Sequence, residues 1–504
     1  MPDQILTPNP TTASTGYSSF SQSGQHLFDG TIRVFLAEAL ILPTGILTAA
    51  FLTRRLGPDD YGLFTIAAIM VVWIETTITT FFSRPTFKLI AEAKEWKPLA
   101  ATLVRFQLIA SVAAACMLWL LSGSLGSLLQ EPTLVSYLRL FAFDIPIFSL
   151  AHAHRNILIG IGAFRERAWS SAGRWIARLL LIVVLVELGL SVYGAILGSI
   201  GASLIELAIV RFYVRPPLLS GIGIHLQGFW DYGWPLFLFF ISVALFSKLD
   251  LLIFKMLGGT AGEAGIYGAA QNLSIMPGIF AASFSPLLLS TLSRLISGDD
   301  VTSAKVIGSD AMRLVTMLLP FAAMTAGMAH EIVDFIFGAL FLQAAPLLSV
   351  LIFGAVAMVM ISVATVILTA AGKPKWTLAC AVPLLPLAVI GHVLLIPLFG
   401  AMAAALVTTF LSGLGAMAAV LAVYRLWRIL PPLATLGRSS VICGAVFILG
   451  LFWPASGALL FLKVPVVAIL ILGLFALLGE FTAGEIALAR STFDWRATPE
   501  RNPS

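Results

Sequence analysis

The sequence predicts an all-α integral membrane protein of about fourteen transmembrane helices, built as two pseudo-symmetric six-helix lobes followed by two further helices. Three observations predict it. Of the 504 residues, 59% are hydrophobic and 11% are charged, whereas a soluble chain carries roughly a quarter charged residues. Apolar stretches of the length that crosses a bilayer follow one another with short breaks. Basic residues fall in alternate breaks, and the first six stretches share a motif with the next six.

The elements follow in chain order. The first 28 residues are rich in Ser, Thr, Gln and Gly and hold no apolar run, so residues 1–32 are expected to be a disordered cytoplasmic tail. Nothing there reads as a cleaved signal peptide, and the first span is expected to direct insertion. The spans are expected at 33–53, 61–82, 99–122, 133–160, 173–191 and 193–214, then 232–257, 264–292, 310–338, 344–371, 377–397 and 400–424, and finally 438–460 and 463–488. Residues 33–215 then form the N-lobe, 216–231 a cytoplasmic linker, 232–425 the C-lobe, 438–488 the last two spans and 489–504 a cytoplasmic tail. The tight hairpins at Gly189, Gly400 and Ser456 are the points where neighbouring spans are hardest to divide.

Orientation comes from the Lys and Arg content of the connections. Connections after even-numbered spans, with the final tail, hold twenty, beginning with Arg84, Lys88, Lys94 and Lys97. Connections after odd-numbered spans hold four: Arg54, Arg55, Lys255 and Lys463. Both termini are therefore expected in the cytoplasm. The outer connections are short, which leaves no room there for a folded domain.

An internal repeat supports the two-lobe reading. Leu56-Gly57 aligns with Leu257-Gly258, and after a two-residue insertion Gly62-Leu63-Phe64 aligns with Gly265-Ile266-Tyr267. Both copies open a set of six spans on the same side, so the lobes should be related by an axis along the membrane normal.

Other classes find little support. Cys116, Cys380 and Cys443 lie in three different spans with no ligand spacing, so neither a disulfide framework nor a metal site is indicated. The net charge of +5 is dispersed between apolar stretches as topology signals, and nucleic acid is not an expected partner. There is no metalloprotease, serine-hydrolase or phosphate-loop motif, so no catalytic residue, cofactor or enzyme activity is expected.

Polar residues deep in the spans are the functional candidates, because a charge at mid-bilayer faces protein or water. Span 2 carries Glu75 among threonines, and span 4 carries Asp144, Ser149, His152 and Arg155, with Asp144 and Arg155 eleven residues apart on one face. Span 7 carries Lys248 and Asp250, and span 8 opens with Gln271 and Asn272. Glu38, Arg178 and Glu206 complete the set. Each has a plainer reading. Arg155 and Arg178 are near enough to the cytoplasmic boundary to snorkel, Lys248 and Asp250 can neutralise a neighbouring helix, and His392 suits an interior histidine.

The run LTRRLGPDDYGLFTIAA and the stretch from Phe229 to Leu273, with Asp250 ahead of its LG turn and Gly265 and Tyr267 in a GxY segment, resemble bacterial polysaccharide flippases of the Wzx type. These belong to the multidrug/oligosaccharidyl-lipid/polysaccharide exporter superfamily. The resemblance spans roughly residues 30–430 in topology. It implies a V-shaped pair of lobes around a cavity open alternately to either side of the bacterial inner membrane. The implied substrate is an undecaprenyl-pyrophosphate-linked oligosaccharide, with membrane lipids, a polysaccharide polymerase and a chain-length protein as partners. In that family an Arg after span 2 often precedes an amphipathic stretch; here Arg84 is followed directly by Pro85.

A pyrophosphate calls for cationic donors, which makes Arg84, Arg155, Arg178, Lys248 and the neutral Asn272 the substrate-binding candidates. Glu75, Asp144 and Asp250 are the candidates for charge balance or ion coupling. Two further readings stay open: a cation-coupled drug exporter or peptidoglycan-precursor flippase of the same superfamily, and a membrane polysaccharide polymerase or glycosyltransferase.

Overall fold

The computed structural model describes residues 40–92, 95–216, 227–455 and 457–481. Among them the chain is helical and holds no strand. In the first half lie α1 (Ile41–Glu92), α2 (Trp96–Leu128), α3 (Pro132–Phe141), α4 (Asp144–Gly160), α5 (Phe164–Leu185) and α6 (Ser191–Tyr213). Then come α7 (Gln227–Met256), α8 (Ala261–Ser274), α9 (Met276–Ser297), α10 (Val301–Thr316), α11 (Leu319–Gly327), α12 (Ala329–Phe337) and α13 (Ala344–Ala370). The chain closes with α14 (Pro374–Ala381), α15 (Leu384–Trp427), α16 (Leu433–Phe452) and α17 (Leu460–Leu477).

Several of these helices are too long for one crossing. The 52 residues of α1 would extend ~78 Å at the helical rise, against a hydrocarbon core of about 30 Å. The break falls at Gly57, whose φ of 73° a residue without Cβ adopts at little cost. Between α5 and α6, a π turn with Gly189 at φ 88° folds the chain back on itself. Gly194 and Gly198 then lie so close to Leu185 and Ile182 that a Cβ at Gly198 would come within 2.7 Å of Ile182 Cγ1. Gly400, at φ 59°, folds α15 in the same way and sets Gly391 against Val407.

Ten helical stretches among the described residues are long and apolar enough to cross a membrane, and three of them hold 43, 50 and 53 residues, enough for two crossings each. With α7, whose 30 residues supply the crossing expected over 232–257, the total reaches fourteen. The lipid-facing pattern agrees. On α17, Val467, Ile471 and Phe475 are buried against Met328, Ile442 and Val446, while Leu462, Ile469, Leu472 and Leu477 are exposed. That exposure suits a bilayer, where hydrocarbon is the solvent.

Some boundaries differ from those the sequence suggests. The linker expected over 216–231 is shorter at its far end, since α7 starts at Gln227. Asp300 accepts a hydrogen bond from Ser303 N and starts α10 at Val301, nine residues before the expected 310. Span 13 runs over Leu433–Phe452 and stops before Pro454, which cannot donate to a continuing helix. Span 14 ends at Leu477 rather than near 488, where Gly479 turns with φ 69°. The expected tails at 1–32 and 489–504 lie outside the described residues.

The chain forms two compact units. One comprises Met1–Arg55 and Ala67–Ile241; the other comprises Leu56–Ile66 and Ser242–Ser504. The core of the second is built on α13, whose Val356, Val359, Val363 and Ile367 pack among Leu292, Met312 and Val423. Its borrowed segment, 56–66, packs on α8 through glycines: a Cβ on Gly62 would strike the carbonyl oxygen of Ala261, and one on Gly265 the carbonyl oxygen of Pro58.

Candidate functional site

The first unit gathers its charges from four helices. Glu75 comes from the second half of α1, Asp144 and Arg155 from α4, Arg174 and Arg178 from α5, and Glu206 from α6. Glu206 is fully buried and takes two cations: Arg155 Nη1 lies 3.0 Å from Oε1, and Arg174 Nε 3.2 Å from Oε2. The first contact is a hydrogen bond, while the second is an ion pair not aligned for one. Arg174 also stands over the Phe148 ring, 4.4 Å from its centroid. Arg178 lies near Trp175, 5.9 Å from the ring centroid.

Glu75 and Asp144 are differently placed. They are 4% and 3% exposed, and Glu75 Oε1 and Asp144 Oδ1 accept no hydrogen bond among the described residues. Arg174, Arg178 and Glu206 are charges that act on both. The shared face of Asp144 and Arg155 does not pair them, since Arg155 reaches across to α6 instead. Around them Gln107 Nε2 donates to Ser149 O at 3.0 Å, and Asn156 Nδ2 to Ser83 Oγ at 3.1 Å. Arg84 belongs to α1, but its side chain lies outside the described residues.

In the second unit Asp250, on α7, is the hub. Its Oδ1 accepts from Leu251 N at 2.8 Å and from Gln271 Nε2 at 2.7 Å. Its Oδ2 accepts from Tyr267 OH at 2.6 Å and Thr408 Oγ1 at 3.0 Å. Lys248 does not touch the carboxylate; its Nζ donates to Gln271 Oε1 at 3.1 Å, so the Gln271 amide bridges the two. Lys248, Asp250, Gln271 and Thr408 line a cavity of about 170 Å³ with Ser274 and Ser412. Asn272 is committed elsewhere in the unit, donating to Tyr61 OH at 2.8 Å.

Further ion pairs hold the last two helices. Glu480 accepts from Arg313 Nε and Arg438 Nη1, both at 2.6 Å, and from Thr435 at 2.5 Å. Lys463, 1% exposed, binds Glu331 Oε2 at 2.7 Å and Gly450 O at 3.1 Å. These contacts tie α16 and α17 to α10 and α12.

Arg174, Tyr267 and Thr408 are members of these clusters that the sequence reading did not place among the functional candidates, although Tyr267 stood in its GxY segment. Arg174 carried a signal, because it stands four residues before Arg178 and shares its helical face. Thr408 carried none, being one hydroxyl in an apolar helix 158 residues from its partner.

The family model for a polysaccharide biosynthesis protein matches residues 51–346. The chain belongs to the polysaccharide biosynthesis protein family. Its fold is similar to that of the lipid II flippase MurJ in an inward closed conformation, with TM-score 0.72, 15% identity, and coverage of 89% of this chain and 98% of that one. It is also similar to an inward-facing multidrug resistance MATE family transporter of the MOP superfamily, with TM-score 0.65, 12% identity, and coverage of 79% and 95%. A third likeness is to the Vibrio cholerae MATE transporter VcmN in the bent form, with TM-score 0.55, 15% identity, and coverage of 82% and 98%. No curated protein matches the chain in sequence. The family member described here is thus a multi-pass membrane protein with a transporter fold.

Proposed function

We propose that the protein is a flippase that moves an undecaprenyl-pyrophosphate-linked oligosaccharide from the inner to the outer leaflet of a bacterial cytoplasmic membrane. It works by alternating access, with both termini in the cytoplasm, and performs no covalent step. The observation that carries this reading is the set of guanidiniums, Arg155, Arg174 and Arg178, held inside a membrane-embedded unit of a polysaccharide biosynthesis protein. Arg84 joins that set by sequence, and Lys248 and Asn272 are the contacts proposed for the second unit. Planar guanidinium forks suit a pyrophosphate. A polysaccharide polymerase and a chain-length protein are the partners such a flippase would serve.

The test is a deletion strain complemented with variants, read as surface polysaccharide per inserted protein. Loss of the protein should leave lipid-linked repeat units accumulated on the cytoplasmic side. Arg178→Ala should abolish export, and Arg178→Lys should retain part of it, because charge survives while the fork does not. Glu75, buried and short of donors, is the observation that favours cation-coupled drug export instead. Normal polysaccharide in all arginine variants, together with drug sensitivity in Glu75→Gln, would put that reading first.

A further inference from the structure

Glu206 holds its two arginines unequally. Arg155 Nη1 donates to Oε1 at 3.0 Å, an aligned hydrogen bond that ties α4 to α6. Arg174 Nε stands 3.2 Å from Oε2, yet neither atom makes a hydrogen bond among the described residues. Arg174 donates none at all among them. Its guanidinium lies over Phe148 instead, with Cζ 4.4 Å from that ring centroid and 5.2 Å from that of Trp175. Phe148 and Arg155 are seven residues apart on α4, about two turns, so the ring and the partner of Glu206 share one face.

These contacts fix one end of Arg174 and leave the other open. An aromatic face attracts a guanidinium without consuming an N–H, because all five N–H groups lie in the plane of the cation. Glu206 is fully buried, and the charge set against its Oε2 is that of Arg174. Turning Nε away would strand a buried carboxylate oxygen. The Nη1–Nη2 end has no such tie. Its paired donors match two oxygens of a phosphoryl group. Trp175 also borders Arg178, whose Cζ lies 5.9 Å from the ring centroid, so a second guanidinium of α5 stands at the same indole.

We propose that Glu206 and Phe148 are positioning residues that aim the Nη end of Arg174 at the pyrophosphate, with Arg155 locking Glu206 in place. This rests on the flippase reading above and divides the labour among its arginines. Arg155 spends its aligned bond inside the protein; Arg174 keeps its paired donors for the ligand.

The test is binding of geranylgeranyl pyrophosphate to the full-length protein in lipid nanodiscs, with geranylgeraniol as the control for the chain alone. Arg174→Lys should weaken binding about tenfold or more, because charge survives while the fork does not. Phe148→Leu should weaken it about three- to thirtyfold, the worth of a cation over an aromatic face. Phe148→Tyr, which keeps a ring, should recover most of that loss. Glu206→Asp draws the carboxylate back by one methylene and should also weaken binding.

The backgrounds decide between positioning and mere support of the fold. In Arg174→Lys, Phe148→Leu and Glu206→Asp should cost nothing further, whereas in Arg178→Lys they should cost as much as in the wild type. If Glu206→Asp does not insert, the Phe148 comparison decides alone. Unfolding midpoints should fall further in Arg155→Lys than in Arg174→Lys, since only the first breaks an aligned bond. Losses that persist in full in the Arg174→Lys background would overturn the proposal and leave the flippase reading standing. A wild type that binds the pyrophosphate no better than geranylgeraniol would sink the substrate reading, and this assignment with it.

Discussion

Gly62 and Gly265 cross backbone to backbone, a Cβ on Gly265 coming 2.9 Å from Gly62 N and one on Gly62 coming 2.9 Å from Gly265 N. The contact is reciprocal. Gly62 rests on Ala261 and Gly265 on Pro58, and each partner is the repeat counterpart of the other, 203 residues along the chain. Two copies of one motif therefore meet about a local twofold axis inside the second unit. Small residues allow this approach, and in hydrocarbon such close packing is a main source of helix association.

Alanine at either glycine should be destabilising, and by similar amounts, because the atom it strikes is backbone and cannot rotate away. Overpacking of this kind costs about 1–3 kcal/mol, and rigid neighbours place it at the upper end. Gly45→Ala is the control, since a Cβ there meets nothing within 4 Å; removing a helical glycine should stabilise by about 0.5–1 kcal/mol. Thermal unfolding of the purified protein in detergent reads both signs. Equal midpoints for Gly62→Ala and Gly45→Ala would refute the crossing.

The ion pair Lys463–Glu331 should behave asymmetrically. Glu331→Gln leaves a buried ammonium without its counter-charge, and breaking one side of such a pair costs about 3–5 kcal/mol. Lys463→Met with Glu331→Leu removes both charges and should recover most of the loss. The measurement is the unfolding midpoint of both variants. A double variant no better than Glu331→Gln would show that the pair is not the fastening.

Glu480 lies beyond the end of span 14, and its acidity sets a pH limit on how the last two helices are held. Burial raises its pKa, but hydrogen bonds from Thr435, Arg438 and Arg313, with the charge of Arg313, outweigh burial and hold it below the ordinary 4.5. A carboxyl with a depressed folded pKa contributes stability that is present above its unfolded value and is lost as pH falls through the folded one. Proteolysis at the α16–α17 end should therefore accelerate below about pH 4.5. In Glu480→Gln it should be fast already at neutral pH and change little on acidification.

Tyr267 and Thr408 donate to the same oxygen of Asp250 and should be coupled. Tyr267→Phe removes a hydrogen bond to a charged acceptor, a loss of about 1.5–3 kcal/mol. Thr408→Val should cost less alone, since its bond is longer. Together they leave that oxygen bare, so the double variant should lose more stability than the two single losses combined. Additivity in unfolding experiments would show that water replaces the missing donors.

The sequence by itself determined the membrane class, the fourteen crossings, the repeat and the places where the chain must fold at glycine. These are local quantities: a run of apolar side chains suits hydrocarbon whatever packs beside it, and Gly57 or Gly189 sets its own φ. It also picked out the acids and bases that lie deep in the spans, because a charge in an apolar run is conspicuous. It did not determine their partners. Helical periodicity placed Asp144 and Arg155 on one face, yet the guanidinium found Glu206, 51 residues away. Arg174, which was no functional candidate, pairs with the same acid. The repeat was legible as Gly62 and Gly265, but only the tertiary structure brought the two copies against each other. Which charges meet depends on how helices far apart in sequence lie side by side, and no property of a single stretch of chain fixes that.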